Sequence, residues 1–206
     1  MYEHFGPYDP LYAAAPGNVL WDSPTHIFER TGSLSAHRKV IDLGCGDGAN
    51  ALYLEQVGCS VTGFDISSLA LNGLANRFAR SGMSPGGRYV RSDIGSIGQE
   101  IECCDLLVSC GLFQCLAKDM RGEIHKRFHE SLSLNGMIVF SCLTDKIALP
   151  AGHMTRGVEL ASLSEIADLF DGLSIQYFRE GTIRDAHAPL VAPHEHSVVW
   201  ILAKKL

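Results

Sequence analysis

Val40-Ile-Asp42-Leu-Gly44-Cys45-Gly46-Asp47-Gly48-Ala49-Asn50 decides how the rest of the chain is read. Lys39 to Leu43 is an apolar run of strand type. Three glycines then fall at alternate positions. Ala49 to Val57 follows with helical spacing, Leu52, Leu54 and Val57 being apolar, and Gly58 supplies a stop. A strand, a glycine turn and a helix make one βα unit. Glycine takes backbone angles closed to other residues and lets a ligand approach the main chain. In open α/β sheets that ligand sits at the carboxyl end of the strand.

The same alternation continues along the chain. Ser60 to Phe64 reads as a second strand, and Ser67 or Ser68 caps a helix to about Arg80. Arg88 to Arg91 and Asp105 to Ser109 read as further strands. Lys118 to Leu132 reads as a helix with Met120, Ile124, Phe128 and Leu132 on one side, and Gly136 to Phe140 as the fifth strand. Leu143 to Ala161 is a long connection, the length of a lid. Ser162-Leu-Ser-Glu165 is a capping box opening a helix to Phe170. Ser174 to Tyr177 and Ser197 to Leu202 are strands with no helix between them, so they pair antiparallel. The expected class is α/β: a doubly wound, mostly parallel seven-stranded sheet with a C-terminal antiparallel hairpin and helices on both faces. One domain spans 1–206, with an N-terminal arm or lid at 1–30, a cofactor-binding core at 38–145, and a substrate-side loop and hairpin at 146–206.

Carboxylates mark the strand ends. Asp65 closes the second strand, where it can accept both hydroxyls of a ribose. Asp42 sits two residues before the first glycine. A dinucleotide-binding turn has the spacing Gly-x-Gly-x-x-Gly, whereas this one is Gly-x-Gly-x-Gly. A carboxylate beside the turn suits a cationic sulfonium ligand with an ammonium group and opposes a pyrophosphate. A purely structural βα turn is the bland alternative.

Val40 to Ser67 (VIDLGCGDGANALYLEQVGCSVTGFDIS) resembles the first two motifs of class I, Rossmann-like, S-adenosylmethionine-dependent methyltransferases. Ser92-Asp93-Ile94 looks like the third motif and Asp105 to Gln114 like the fourth. Ser131 to Phe140 resembles the turn into strand five, with Asn135-Gly136 where relatives often carry Pro-Gly-Gly. The short chain looks weakly similar to the tellurite-resistance and thiopurine-type small-molecule enzymes. The resemblance implies S-adenosylmethionine as cofactor. It places Gly44, Cys45, Gly46 and Gly48 behind the methionine and ribose, and Asp42 on the amino group. It places Asp65 on the ribose hydroxyls, Ile66 on the adenine face, Asp93 and Ile94 on the adenine edge, and Cys110 and Gly111 beside the methionine tail. Cys115 stands where many relatives have His, which removes a catalytic His there.

Methyl transfer is an in-line displacement in which the enzyme aligns the nucleophile at about 3 Å. A base is needed only when the nucleophile is protonated. Substrate residues therefore belong at the carboxyl ends of the strands. The segment Arg184 to His196 joins the last two strands at that edge, and it carries His187, His194 and His196. On an extended chain His194 and His196 point the same way. They are the candidate catalytic residues. A solvated loop and a metal site are the alternatives, and no metal is expected, because His-x-His alone is a weak signature. Cys142, Thr144 and Asp145 follow strand five to the same edge. The N-terminal aromatics Tyr8, Tyr12 and Trp21 either fill core or close over the ligand, where a cation–π contact is conceivable.

Composition bounds the partners. Net charge is -6, with 17 basic against 23 acidic residues, and no basic block marks a nucleic-acid footprint. The first residues, Met1 to Leu20, hold Glu3, Asp9 and several prolines, with no apolar core of a signal peptide. No apolar run reaches the roughly 20 residues that span a bilayer. Seven cysteines without CxxC spacing read as reduced thiols. The expectation is a cytoplasmic enzyme with a small-molecule substrate, acting on neither nucleic acid nor membrane, with its oligomeric state open. Two other readings stay open: a non-methylating relative on the same cofactor, and a nicotinamide-dependent oxidoreductase.

Overall fold

The structure is a computed structural model that describes residues 6–32, 34, 38–97, 103–150, 153, 157–187 and 191–206, with 128, 186 and 187 described in backbone only. Seven strands form one sheet in the order β3-β2-β1-β4-β5-β7-β6. They are β1 (Lys39–Leu43), β2 (Ser60–Asp65), β3 (Arg88–Arg91), β4 (Cys104–Cys110), β5 (Leu132–Thr144), β6 (Ser174–His187) and β7 (Val191–Lys204). The pairs β1–β2, β1–β4, β2–β3 and β4–β5 are parallel, while β7 runs antiparallel to both β5 and β6. The expected sheet, with its C-terminal hairpin, is what the chain forms.

The helices are α1 (Asp9–Ala14), α2 (Ala49–Gln56), α3 (Ser68–Arg80), α4 (Lys118–Ser131) and α5 (Leu163–Leu169). Strand residues alternate between two cores, as a period of two requires. Ile41, Leu43, Leu107, Ile138, Phe140, Val199 and Ile201 join Ile124 of α4 and Ile166 of α5 on one side. Val40, Leu106, Val108, Val139 and Leu202 join Leu54 of α2, Leu74 and Phe78 of α3, and Ile27 and Phe28 on the other. Covering both faces is what buries a parallel sheet. Ser67 caps α3 by accepting from Ala70 N at 3.0 Å. Ser162 caps α5 by accepting from Glu165 N at 3.1 Å.

Several boundaries differ from the sequence reading. Leu132 starts β5 rather than ending α4, and Met120 is exposed. Phe128 lies outside the described side chains. Thr25 to Thr31 holds a 3-10 turn at His26–Arg30. The connection read from Leu143 is shorter, because Leu143 and Thr144 belong to β5 and Thr144 bridges Ala161. Much of the lid reading of that connection, residues 151–152 and 154–156, lies outside the described residues. The largest difference is in the hairpin. The segment read as a loop is mostly paired strand, with Arg184 opposite Glu195 and Asp185 opposite His194. Polar side chains hid the pairing, because a ladder is held by backbone hydrogen bonds that any residue type can make.

Candidate functional site

Gly44, Gly46 and Gly48 have φ of +67°, +55° and +78°, the left-handed region that glycine enters without steric cost. Gly44 N and Cys45 N both donate to Phe64 O, at 2.8 and 3.0 Å, tying the turn to the end of β2. Gly46 N donates to Asp65 Oδ2 at 2.8 Å, and Ser67 N donates to Asp65 Oδ1 at 2.8 Å. Asp65 is therefore the clamp of the turn as well as a candidate ligand. A side chain on Gly46 would start 2.7 Å from the Tyr12 hydroxyl, and one on Gly48 would start 2.7 Å from Leu74. Gly46 keeps the turn open toward the N-terminal segment, while Gly48 lets α3 pack.

Around this turn lies a cavity of about 510 Å³. Its floor is Gly44 to Asp47 with Asp65 to Ser67. Tyr8, Tyr12 and Trp21 wall one side. Cys110, Gly111 and Gln114 continue it from the end of β4, and Ile183, Asp185, His196, Val198 and Trp200 close the far side from the hairpin. Carboxylates line it, and no Lys or Arg is among its described lining residues. Such a wall favours a cation and disfavours a pyrophosphate.

The N-terminal segment reaches the cavity because Asp47 holds it. Leu20 N and Trp21 N donate to Asp47 Oδ2 at 2.5 and 2.8 Å, and Arg77 pairs with the same carboxylate at 3.1 Å. The Arg77 guanidinium also donates to Trp21 O. Tyr8 and Trp21 meet edge to face at 6.2 Å, and Tyr12 is buried. These aromatics thus pack and line at once, so the two readings made from sequence are not exclusive. Gln114, which sequence singled out only within a motif, is buried, with its Nε2 at 3.5 Å from the Tyr8 hydroxyl and its Oε1 accepting from Leu143 N at 3.4 Å. Nothing in the local sequence distinguishes it from a surface glutamine.

Asp42 lies beneath the turn, 1% exposed, and its Oδ2 has no hydrogen-bond partner among the described residues. Burial, with the charge of Asp65 added, pushes its carboxyl up to about 7. Burial also raises Asp65, against the backbone donors of Ser67, Gly46 and Ile66 that lower it. The thiols of Cys110 and Cys115 are raised to about 12 by burial, so neither of these two is a thiolate at neutral pH.

Of the residues named from sequence, Gly44, Cys45, Gly46, Asp65, Ile66, Cys110, Gly111 and His196 line the cavity. Asp42, Gly48, Asp93, Ile94 and His194 are not among its lining residues. Asp93 instead caps a short 3-10 turn by accepting from Gly95 N at 2.9 Å. His196 is 2% exposed, which removes it from the solvated-loop reading. His194 Nε2 and His196 Nε2 are 2.8 Å apart, as expected for two residues on one face of a strand. The side chain of His187 lies outside the described residues. His153, which sequence did not single out, stacks edge to face on both, at 5.2 and 5.4 Å.

Comparison with known proteins agrees with this geometry. Residues 40–136 match the family model described as a methyltransferase domain. A probable S-adenosyl-L-methionine-dependent methyltransferase TehB of Haemophilus influenzae is 28% identical over 114 residues, 54% of this chain. The chain spans 39% of that relative's length. The crystal structure of TehB from Haemophilus influenzae superimposes with a TM-score of 0.72 at 21% identity, covering 87% of this chain and 61% of TehB. The N-methyltransferase NodS of Bradyrhizobium japonicum, solved with S-adenosyl-L-homocysteine, gives 0.68 at 18% identity over 97% of this chain and 98% of NodS. These structural likenesses establish the fold. The resemblance read from Val40 to Ser67 is borne out by the matching domain and by the TehB relative.

Proposed function

We propose that the chain, whose residues 40–136 match a methyltransferase-domain model, transfers a methyl group from S-adenosylmethionine to an oxygen, nitrogen or sulfur atom of a small molecule. The observation that carries this is the cavity: about 510 Å³, lined by Asp47, Asp65 and Asp185 with no Lys or Arg among its described lining residues, reaching from the glycine turn to the hairpin. Its size is that of small-molecule sites, which run roughly 300–1,000 Å³. Helix α1, the start of α2 and the hairpin line its sides, which suits a compact acceptor better than a polymer.

The residues fit the cofactor. Asp42 offers a buried carboxylate oxygen without a partner, which a nearby cation would satisfy. Both Asp65 oxygens accept from backbone N–H groups, and a carboxylate has further lone pairs for ribose hydroxyls. Gly44, Cys45 and Gly46 would back the methionine and ribose, Gly48 setting the turn behind them, with Cys110 and Gly111 beside the tail. Ile66 would pack on adenine, with Asp93 and Ile94 at its edge. When bound, S-adenosylmethionine supplies a methyl group activated by a positively charged sulfur.

The chain's own task is then alignment and exclusion of water. Tyr8, Tyr12 and Trp21 shield one side. His196, with His194 behind it, faces the acceptor from β7 and acts on its nucleophilic atom. That no Lys or Arg is among the described lining residues speaks against an oxidoreductase that binds a nicotinamide dinucleotide. The test is incubation of purified protein with methyl-labelled cofactor and a fractionated metabolite extract. Label passing into a small molecule, with S-adenosylhomocysteine released in equal amount, is the expected result. Cofactor binding without any label transfer would favour a non-methylating relative and overturn the proposal.

A further inference from the structure

His153, His194 and His196 form a cluster of which the methyl-transfer reading uses only His196, with His194 behind it. Each can offer one ring nitrogen such that all three atoms lie within 4.8 Å of one another. His194 and His196 come from β7, and His153 from the connection after β5. The cluster is assembled by the fold, since His153 is remote from the other two in sequence.

The orientation of His194 is informative. Its Nδ1 lies 2.8 Å from Ala192 O. A carbonyl only accepts, so Nδ1 carries the hydrogen and Nε2 of the neutral ring keeps its lone pair. That lone pair points at His196 Nε2, 2.8 Å away. A backbone carbonyl fixing the outer nitrogen of an imidazole is the usual support of a metal-ligating histidine. Zinc binds imidazole nitrogen at about 2.0–2.1 Å, which in a tetrahedral site sets nitrogens about 3.3 Å apart. The 2.8 Å pair would open by only a few tenths of an ångström to take an ion, and a limit of 4.8 Å on the third nitrogen is within reach of a side-chain rotation.

We propose that His153, His194 and His196 bind one divalent transition ion of the zinc class at the hairpin end of the cavity, leaving a coordination position for the methyl acceptor. Three imidazoles suit such an ion, and a site with three protein ligands stays open to substrate. Of the three, His196 alone is among the residues lining the cavity, and the proposed open position is the one on its side. Asp185, across the ladder from His194, lines the same wall and adds negative charge for a cation. The acceptor class is then a thiol or hydroxyl compound. Ligation releases its proton to solvent and leaves the electron pair on the atom to be methylated. This role for the ion rests on the methyl-transfer reading; the ion site itself does not.

The test uses untagged full-length protein stripped with a chelator. It is titrated with Zn²⁺ by calorimetry and with Co²⁺ by visible absorption. The expected result is one ion per chain and cobalt bands of a four-coordinate site with three nitrogen ligands and a water. His153→Asn, His194→Asn and His196→Asn should each weaken uptake at least tenfold, while binding of S-adenosylhomocysteine changes less than twofold. His196 is buried, so if that variant does not fold, the half-buried His153 and His194 decide. No one-to-one uptake by the unaltered protein, or uptake that survives in the His153 and His194 variants, overturns the site and leaves a plain histidine–histidine hydrogen bond. Loss of homocysteine-product binding in the unaltered protein would instead strike at the methyltransferase reading, and the metal titration would be unaffected by it.

Discussion

Asp65 accepts from Gly46 N and Ser67 N, so replacing it touches the turn as well as any ligand. Asp65→Ala should weaken binding of S-adenosylhomocysteine by about 1–3 kcal/mol, read by calorimetry; unchanged affinity would take Asp65 out of the site. Asp42 behaves differently. Its folded carboxyl is pushed up to about 7 from an ordinary 3.8, so the free protein loses stability as pH rises through that range. Asp42→Asn has no ionisation to suffer. The variant should melt higher than the unaltered protein at pH 8 and lose that advantage at pH 4, in paired thermal melts of ligand-free protein. Cofactor affinity should run the other way, falling below pH 7 as Asp42 takes up a proton, and Asp42→Asn should flatten that slope. At the acceptor end, His196→Ala should lower turnover at least tenfold with cofactor binding intact; normal turnover would remove His196 from the chemistry. The glycines, Asp42 and Asp65 were legible because few other residues tolerate those angles or end a strand in a charge. The lining role of Gln114 and the contact of His153 were not, since both depend on which elements the fold brings alongside.

At the scale of elements, the N-terminal segment is fastened by α3 and the glycine turn. A side chain on Gly73 of α3 would start 2.0 Å from Asn18 O, so the close approach of helix and segment requires glycine there. Gly73→Ala should cost about 1–3 kcal/mol through overpacking, seen as a lower denaturant midpoint, and should weaken cofactor binding because Tyr12 and Trp21 are displaced with the segment. Strands β1, β2 and β4 were readable as short, largely apolar runs between turns, and β3 as the Tyr89-Val90 pair between two arginines. The hairpin was only half readable. Val198 to Ala203 is a continuous apolar run, buried apart from the half-buried Trp200, and declares itself. The outer halves of β6 and β7 carry Arg184, Asp185, His194 and Glu195, and they are strand because each has a partner across the ladder. The capping box of α5 was legible at Ser162. The Glu165 carboxylate, however, pairs with buried Arg121 at 2.9 Å, a contact between helices that no local pattern announces.

At the scale of the whole molecule, one cavity joins three regions distant in sequence: the N-terminal segment, the glycine turn and the hairpin. Ligand binding should therefore stabilise the entire fold. At a hundredfold its dissociation constant a ligand adds about 2.7 kcal/mol, which for a domain of this size raises the melting temperature by about 5–10 °C. S-adenosylhomocysteine should give that shift in a thermal melt and NADH should give none; the reverse would revive the oxidoreductase reading. The order of strands and helices and the nature of the turn were determined by sequence alone. Periodicity and the restricted backbone angles of glycine act between near neighbours, and near neighbours are what a sequence displays. Only the tertiary structure decided that Asp47 anchors the N-terminal segment, that Gly48 serves packing, and that three histidines meet. Those outcomes depend on side chains brought together by the sheet from far along the chain, and their distances follow from the register of strands rather than from spacing in sequence.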